Sequence, residues 1–428
     1  MTSKKVLIIT YYWPPAGGPG VQRWLKFSRY LPEFGWEPII YTPENPSYPI
    51  VDETLLAEIP EGIKMVKTKI WEPYQLAEKL NRNNKKFKAG QFDVGKNQSW
   101  KSRLSIWIRG NFFIPDARKY WVKPSVKFLK KYLQENKIET IVTTGPPHSL
   151  HLIGRELKKQ NPALKWLADF RDPWTEISYY KHLKLTKKSD RKHHQLEEDV
   201  FRNADITLAT SYTDAENFKK KGARAICITN GFDAMPKTDI EHSKRSEKFT
   251  LSYVGVLEQL RNPEILWEVL VELLHENEDF RKNFKLKFVG KVDDRILNTI
   301  EKSSLAESLD ITGYLPHDQS LEEMQKASLL LLTNFPNEVS KGIIPGKIFE
   351  YLSTGNPILS FGPKNSDVEK ILEKTHAGKH FGYRDPSALK TWILQQYENW
   401  KKGTPPKENL NIEAFSRKNL TKKLSEIL

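Results

Sequence analysis

Short apolar runs that alternate with helical patterns are the feature of this chain that most limits its possible folds. The first run, Val6–Thr10, is a continuous series of β-branched and leucine side chains, as in a central parallel strand. A loop ending in Gly17–Gly20 follows, and apolar residues from Val21 onward then recur at helical spacing. Because this order of strand, loop and helix is repeated, the sequence predicts an α/β fold with a doubly wound parallel sheet.

The alternation occurs in two halves of the chain. The further strand-like runs are Pro38–Tyr41, Lys64–Thr68, Ile138–Thr143, Leu164–Phe170 and Asp205–Ala209 in the first half, and Phe249–Val254, Leu286–Val289, Ile311–Thr312, Leu329–Thr333 and Pro357–Phe361 in the second. A chain of 428 residues also exceeds the roughly 250 to 300 residues at which one core stops growing. We therefore expect two Rossmann-like domains whose carboxyl-end loops face a central cleft.

The domain limits follow from composition and periodicity. A polar, charge-rich stretch, Lys237–Lys248, separates the halves and predicts a hinge. The expected domains are 1–235 and 236–405. In the segment 406–428, four apolar residues have the spacing of an amphipathic helix, which predicts that this tail packs back on the first domain; they are Phe415, Leu420, Leu424 and Leu428.

The formal net charge of +15 indicates a polyanionic partner, and nucleic acid, anionic lipid and phosphorylated substrates all qualify. Region 82–131 is rich in Lys and Arg, contains only two acids, and is interleaved with aromatic residues, among them Trp100, Trp107, Phe112, Phe113, Tyr120 and Trp121. This mixture suits a peripheral contact with an anionic membrane or a polyprenyl-diphosphate-linked acceptor. A solvated basic face around buried aromatic residues explains it equally well.

The expected location is the cytoplasm, with the inner face of the plasma membrane as a candidate site. No apolar run approaches the roughly 20 residues that cross a bilayer, and the first ten residues lack the features of a signal peptide. The single cysteine, Cys227, excludes an intrachain disulfide and agrees with a reducing compartment.

The segment from Pro345 to Leu352 is the most informative candidate site. Pro345 and Gly346 open a helix whose free N–H groups can meet a diphosphate, Lys347 adds a positive charge, and the Glu350 carboxylate can accept both hydroxyls of a ribose. The structural alternative is that Glu350 complements the helix dipole and pairs with Lys347 at the surface.

A second candidate lies after the first strand of the second domain. Gly255 ends that strand, and Arg261 precedes a helix start in the same connection. A guanidinium there can neutralise a departing diphosphate. A solvated arginine at a helix cap is the alternative.

The first domain offers candidates at three carboxyl ends. The Gly17 and Gly18 backbone precedes a helix N-terminus, His148 follows one strand, and Arg171 with Asp172 follows the next. His148 can hydrogen-bond a sugar or move a proton, and the Arg–Asp pair can hold acceptor hydroxyls. A tight turn, a lone structural histidine and an internal ion pair are the corresponding structural alternatives.

Together these residues resemble the retaining glycosyltransferases of the GT-B fold known as glycosyltransferase family 4, which includes bacterial capsule, O-antigen and exopolysaccharide enzymes. The resemblance extends over nearly the whole chain and rests on the Gly17–Gly18 loop, Asn230–Asp233, Gly255–Arg261 and Lys347–Leu352 with Gly355 and Pro357. It implies transfer of a sugar from a nucleotide-sugar donor to an acceptor with retained configuration and without a metal or cofactor.

The resemblance also assigns roles. Arg261 and Lys347 become the pyrophosphate-binding cations, Glu350 the ribose ligand, the Gly17–Gly18 backbone a cleft contact and His148 a sugar contact. Two positions depart from the family pattern: Gly342 stands where a second glutamate is common, with Glu338 as a possible replacement, and Val256 stands where a basic residue often follows the glycine.

Two other functions fit parts of the pattern. A nucleotide-sugar epimerase of similar fold would need acid and base groups but no acceptor surface. A nucleic-acid-binding protein would fit the net charge, but no compact recognition motif accompanies that charge, so we expect no nucleic-acid partner.

Overall fold

The computed structural model describes residues 3–73, 100–177, 179–233, 246–404 and 411–428. The chain forms two compact units: unit 1 comprises Met1–Thr229 with Arg417–Leu428, and unit 2 comprises Asn230–Ser416. The domain limit predicted at 235/236 and most of the predicted hinge lie outside the described residues.

Unit 1 is built on a seven-stranded sheet in the order β3-β2-β1-β4-β5-β6-β7, and every pairing in it is parallel. Its strands are β1 (Lys4–Ile9), β2 (Trp36–Pro43), β3 (Lys64–Thr68), β4 (Thr140–Gly145), β5 (Lys165–Phe170), β6 (Ile206–Ala209) and β7 (Ala225–Cys227). Its helices are α1 (Pro19–Tyr30), α2 (Trp100–Phe112), α3 (Lys119–Glu135), α4 (Ser149–Gln160), α5 (Lys187–Asn203), α6 (Tyr212–Lys220) and α14 (Arg417–Ser425).

Unit 2 is built on a six-stranded parallel sheet in the order β10-β9-β8-β11-β12-β13. Its strands are β8 (Phe249–Val254), β9 (Phe284–Val289), β10 (Leu309–Gly313), β11 (Leu329–Thr333), β12 (Ile358–Phe361) and β13 (Gly378–Phe381). Its helices are α7 (Glu264–Glu276), α8 (Glu278–Asn283), α9 (Asp294–Glu301), α10 (His317–Lys326), α11 (Lys347–Thr354), α12 (Asp367–Thr375) and α13 (Pro386–Lys401).

The central strands explain why this sequence folds as parallel sheets. From Val6 to Ile9 every side chain of β1 is fully buried, and all of β11 is buried as well. Such strands are apolar on both faces because helices cover both sides of the sheet. The α/β fold with two parallel, Rossmann-like sheets is confirmed.

The edge strands β7 and β13 were not predicted from the sequence. The first has only three residues, and the second has the sequence Gly-Lys-His-Phe with exposed or half-buried positions before Phe381. An edge strand buries fewer side chains, so it lacks the continuous apolar run that marked the central strands.

Each sheet reverses its strand order at one place. In unit 1 the reversal lies between β1 and β4, and in unit 2 between β8 and β11. The connections that leave the carboxyl ends of two such strands run to opposite sides, which opens a crevice where ligands bind in this class of sheet. The candidate sites therefore belong at these two positions.

The tail helix α14 belongs to unit 1 although it follows unit 2 in the chain. Leu420, Leu424 and Leu428 are buried in the same apolar cluster as Trp24 and Trp36. The Trp36 indole also donates a hydrogen bond to the Ser425 carbonyl at 3.2 Å.

Candidate ligand sites

In unit 2, two of the predicted cations lie at the crevice between β8 and β11. Gly255 and Arg261 follow β8, and Lys347 opens α11, the helix that follows β11. The charges of Arg261 and Lys347 are close enough to lower the pKa of Lys347. The sequence-distant segments are thus brought to one edge of one sheet.

Lys347 is held at the carboxyl end of β8. Its ammonium donates a hydrogen bond to the Val254 carbonyl at 2.9 Å and lies 3.9 Å from the centre of the Tyr253 ring. Burial and, to a smaller extent, the Arg261 charge lower the pKa of Lys347 to about 7, with the Glu350 carboxylate acting in the opposite direction. Near pH 7 this lysine is therefore only partly charged in the free protein, and a bound anion would favour its charged form.

Two glycines keep this part of the crevice open. Gly255 has a φ of +114°, and a Cβ there would lie 3.2 Å from the Lys347 ammonium nitrogen. Gly290, which follows β9, has a φ of +116°, and its Cβ would lie 2.3 Å from the Gly255 carbonyl oxygen. Side chains at these positions would be strained and would crowd the lysine.

One nitrogen of the Arg261 guanidinium is without a hydrogen-bond partner among the described residues. One terminal nitrogen donates to Glu258 Oε2 at 2.9 Å, and the guanidinium lies 5.2 Å from the centre of the Phe335 ring. Its Nε is buried and has no hydrogen-bond acceptor among the described residues. A buried donor without an acceptor is costly, so this nitrogen is suited to a ligand oxygen.

Glu350 and the start of α11 are accessible. Glu350 lies one turn after Lys347, is half-buried, and makes no hydrogen bond or ion pair with a described side chain. Gly346 is exposed, and a Cβ there would meet no atom within 4 Å. In the first turn of α11, the N–H groups of Ile348 and Phe349 donate to the carbonyls of Pro345 and Gly346 at 3.0 and 3.2 Å.

The proposed replacement for the missing glutamate has another partner. Glu338 is an exposed residue whose carboxylate forms an ion pair with Lys341, and Gly342 follows that lysine. The loop itself is fixed from within, because the Asn334 amide donates to the carbonyls of Ser340 and Ile343.

In unit 1, the glycine loop lies at the crevice between β1 and β4. Gly18 has a φ of +94° and immediately precedes α1, whose first turn carries no acidic residue. The Gly17 N–H donates to the Ile50 carbonyl at 3.0 Å, and a Cβ on Gly17 would lie 2.8 Å from the Ile50 side chain. Gly17 is therefore needed for loop packing, while Gly18 provides the left-handed backbone before the helix.

His148 lies in an aromatic pocket at the start of α4. Its ring stacks on Trp174 with a centroid distance of 5.0 Å and an interplanar angle of 3°. It is 6% exposed, and neither ring nitrogen has a hydrogen-bond partner among the described residues. Burial, with the positive charge of Arg171 nearby, lowers the pKa of His148 well below its ordinary value, so the ring is neutral at pH 7.

His151 forms the second layer of this pocket. Its Nδ1 lies 2.9 Å from Thr143 Oγ1, and burial lowers its pKa to about 3. A Cβ on Gly145 would lie 2.6 Å from His151 Nε2 and 3.1 Å from His148 Nδ1. The glycine that ends β4 therefore admits both imidazoles.

Arg171 mainly contacts backbone, although its charge also acts on Asp172. The Arg171 guanidinium donates to the carbonyls of Gly20, Gly145 and Pro146, which joins the segments after β1 and β4. Asp172 is accessible to solvent, but the surrounding protein raises the pKa of its carboxyl, and the nearby Arg171 charge acts in the opposite direction. Arg171 thus positions the two loops that surround the crevice.

A buried ion pair at this edge was missed in the sequence. Arg23 of α1 and Asp169 of β5 are paired at 3.0 Å with side chains 2% and 0% exposed. Asp169 also accepts from the Trp24 indole at 2.7 Å and from Thr144 Oγ1 at 2.9 Å. The only available signal was an aspartate at the end of an apolar strand, which does not identify its partner.

In the basic region 82–131, some of the described aromatic and aliphatic side chains are buried in the core and others are exposed at the surface. Residues 82–99 lie outside the described residues. Trp121 is buried and stacks on Tyr41 at 4.9 Å, so for this residue the alternative of a buried aromatic side chain applies. Four apolar residues spaced by four positions on α2 are exposed, and we call them the α2 stripe; they are Trp100 (69%), Leu104 (45%), Ile108 (38%) and Phe112 (60%).

Across the described ranges, no helix is both long enough and apolar enough to cross a membrane. Within the same ranges, no group of three or more His, Cys, Asp or Glu side chains is arranged to hold a metal ion.

Models of protein families give no match to this chain, and neither does a comparison with curated protein sequences. Solved structures do match over nearly the full length. S. aureus TarM, in a complex that contains UDP, aligns with a TM-score of 0.57 and 11% identity over 99% of each chain. WaaG, a glycosyltransferase involved in lipopolysaccharide biosynthesis, aligns with a TM-score of 0.54 and 14% identity over 99% of both chains.

A third similar structure belongs to another class of enzyme. The putative UDP-N-acetylglucosamine 2-epimerase from Listeria monocytogenes aligns with a TM-score of 0.50 and 10% identity over 99% of this chain and 95% of that one. At these identities the matches show the fold, which is the GT-B arrangement of two Rossmann-like domains.

Proposed function

We propose that this chain is a glycosyltransferase that moves a sugar from a nucleotide-diphosphate sugar to an acceptor. The observation that carries the proposal is the meeting of Gly255, Arg261 and Lys347 at the strand-order reversal of unit 2. A basic crevice at the carboxyl ends of parallel strands, beside the start of a helix, is suited to a diphosphate.

The donor roles follow from the contacts. Lys347 and the unpartnered Nε of Arg261 bind the diphosphate, and the N–H groups at the start of α11 add partial positive charge. Glu350, free of other hydrogen bonds to described side chains, accepts the ribose hydroxyls. Cleavage of the bond between sugar and phosphate leaves charge on the diphosphate, and these cations stabilise it as it forms.

The finer features remain part of the proposal. We place the chain in glycosyltransferase family 4, with retention of configuration, without a metal or cofactor, and with a function in cell-surface polysaccharide biosynthesis. The supports are the motif resemblance and the similarity in fold to WaaG, a glycosyltransferase involved in lipopolysaccharide biosynthesis. No nucleophilic carboxylate is assigned, because in this reading the leaving phosphate helps to deprotonate the acceptor on the same face.

Unit 1 is the proposed acceptor side. His148 acts as a neutral hydrogen-bonding group toward the transferred sugar or acceptor, because its lowered pKa leaves it uncharged. The α2 stripe and its neighbouring basic residues, such as the exposed Arg103, are the proposed contact with an anionic membrane at the cytoplasmic face. A polyprenyl-diphosphate-linked glycan is the proposed acceptor.

The donor is identified first by thermal-shift measurements with UDP-, GDP-, ADP- and dTDP-sugars, because a ligand that binds the folded state raises its stability. Radiolabelled transfer from that donor is then measured for Glu350→Ala and Arg261→Ala. We expect each change to reduce transfer by about 100-fold or more, as for lost transition-state contacts.

The matched controls are Glu301→Ala and Arg281→Ala, which alter exposed residues on helices of the same unit. They should transfer sugar at the rate of the unaltered protein. Unchanged turnover in both site variants would remove the assigned roles.

A nucleotide-sugar epimerase is the second candidate, and the similarity in fold to the Listeria monocytogenes enzyme favours it. The two functions differ in their need for an acceptor. NMR would monitor the nucleotide sugar during incubation with the protein. Formation of an epimer in the absence of any acceptor would establish the epimerase, whereas consumption of the nucleotide sugar only when an acceptor is added supports the transferase.

A further inference from the structure

A second cavity in unit 2 lies at the opposite edge of the sheet from Lys347. It has a volume of about 610 Å³, and Ser328, Pro357 and Gly378 line it. These residues adjoin the amino ends of β11, β12 and β13, whereas the diphosphate-binding cations follow carboxyl ends. Strands of four or five residues separate the two edges by roughly 15 Å. The cavity is therefore distinct from the proposed donor site.

One face of α13 forms a wall of this cavity. Its lining residues on that helix are Trp392, Gln395, Gln396, Asn399 and Trp400, which follow the spacing of neighbours on a single helical face. The buried face of the same helix carries Leu389, Ile393 and Tyr397. On the face that lines the cavity, two tryptophans flank three amides.

The polar groups of this face have no partners among the described residues. The side-chain amides of Gln395, Gln396 and Asn399 make no hydrogen bond with a described residue, and neither do the two indole N–H groups. Each amide offers two donors and an acceptor. The wall can therefore form several hydrogen bonds with a ligand without breaking any in the protein.

The charge of the cavity limits the ligand. Among the described residues that line it, none is Lys or Arg, although the chain as a whole carries a formal net charge of +15. The Glu373 carboxylate and the exposed His376 also line the cavity. A lining with amide groups and a carboxylate, and without Lys or Arg among its described residues, disfavours phosphates and favours hydroxyl groups.

We infer that this cavity binds a neutral oligosaccharide. The C–H faces of a sugar ring suit tryptophan, and its hydroxyls suit amides and a carboxylate. This inference does not depend on the proposed function, since the cavity would bind the glycan whether or not the chain transfers sugar.

The test is saturation-transfer NMR on the full chain with maltotriose, cellotriose and chitotriose, and with glucose 1-phosphate as an anionic comparison. The double variant Gln396→Ala/Asn399→Ala removes two amides from partly or fully exposed positions, so we expect the fold to be retained, which circular dichroism checks. Binding of at least one neutral probe should weaken about tenfold or more in the variant, because two hydrogen bonds are lost.

Gln160→Ala, an exposed glutamine in unit 1, is the matched control and should leave binding unchanged. Lys347→Met should also leave it unchanged while abolishing the nucleotide-sugar thermal shift, which separates this site from the proposed donor site. Absence of binding for every neutral probe, equal binding by the double variant, or tighter binding of glucose 1-phosphate at this cavity would overturn the inference.

Discussion

Protonation of Lys347 should control donor affinity between pH 7 and pH 9. Its pKa of about 7 means that the free protein holds the lysine half-charged at pH 7 and almost uncharged at pH 9. A bound diphosphate brings negative charge next to the ammonium and moves its pKa back toward the ordinary value for lysine. Binding above pH 7 therefore requires the uptake of a proton.

The size of the effect follows from the charged fraction. If the donor binds the charged form, the apparent dissociation constant rises as that fraction falls, by about 50-fold from pH 7 to pH 9. The affinity for the donor is highest below the pKa of Lys347 in the free protein, where the lysine is charged, and it decreases as the pH rises above that pKa. Burial and the Arg261 charge lower the pKa of Lys347 into this pH range. We therefore expect the pH dependence of binding to arise from Lys347.

The assay is isothermal titration calorimetry with the nucleotide sugar found in the thermal-shift screen. A nucleotide sugar is preferred to a free nucleoside diphosphate because its diphosphate carries a constant charge over this range. Titrations at pH 8 in two buffers of different ionisation enthalpy measure the proton uptake, which we expect to be close to one.

Two variants isolate the residue. Lys347→Met should bind weakly and without proton uptake, and Lys347→Arg should bind with little dependence on pH because its charge is permanent. Equal proton uptake in the unaltered protein and in Lys347→Met would refute the reasoning.

Three further predictions concern other parts of the molecule. Gly255→Ala forces a side chain into a positive-φ position beside Lys347, so it should lower the free energy of unfolding by about 1–3 kcal/mol and weaken donor binding; urea unfolding and calorimetry measure both. Asp169→Asn removes the carboxylate charge from the buried pair with Arg23 and should cost about 3–5 kcal/mol of unfolding free energy, measured by urea unfolding. Leu104→Glu should reduce sedimentation with vesicles rich in anionic lipid while the melting temperature stays the same, because this leucine is already exposed.

Each of these predictions has a control elsewhere in the chain. Gly382→Ala alters a glycine with open space around it and without a positive φ, so binding should be retained. Asp199→Asn breaks a solvent-accessible pair with Arg155 and should cost no more than about 1 kcal/mol. Leu260→Glu changes an exposed leucine of unit 2 and should not alter vesicle binding. Matching effects in a site variant and its control would contradict the corresponding assignment.

The sequence predicted the central sheets because their strands are nearly pure apolar runs, as in Val6–Ile9 and Leu329–Leu332. It did not predict β13, where Gly378 is tolerated because its backbone lies against β12 and no apolar run is needed at an edge. A central strand that is buried on both faces can be recognised in the sequence as an apolar run. An edge strand that is held mainly by backbone hydrogen bonds has no such run and cannot be recognised in this way.

For the candidate sites, residue types could be predicted and local environments could not. The sequence places Lys347 at a helix start, but its pKa depends on its burial and on the charge of Arg261, which lies in a distant part of the chain. The aromatic surroundings of His148 likewise depend on Trp174, which belongs to a different loop. Charge and protonation arise from such three-dimensional neighbours.

The return of residues 417–428 to unit 1 has a consequence for biosynthesis. The apolar cluster around Trp24 and Trp36 is incomplete without Leu420 and Leu424, and the ribosome reaches these leucines only after it has made all of unit 2. Unit 2 is a continuous segment and can fold as soon as it emerges, while the earlier part of the chain waits with apolar surface open to solvent. The part of the protein that is made first can therefore complete its core only after the last residues of the chain have been made.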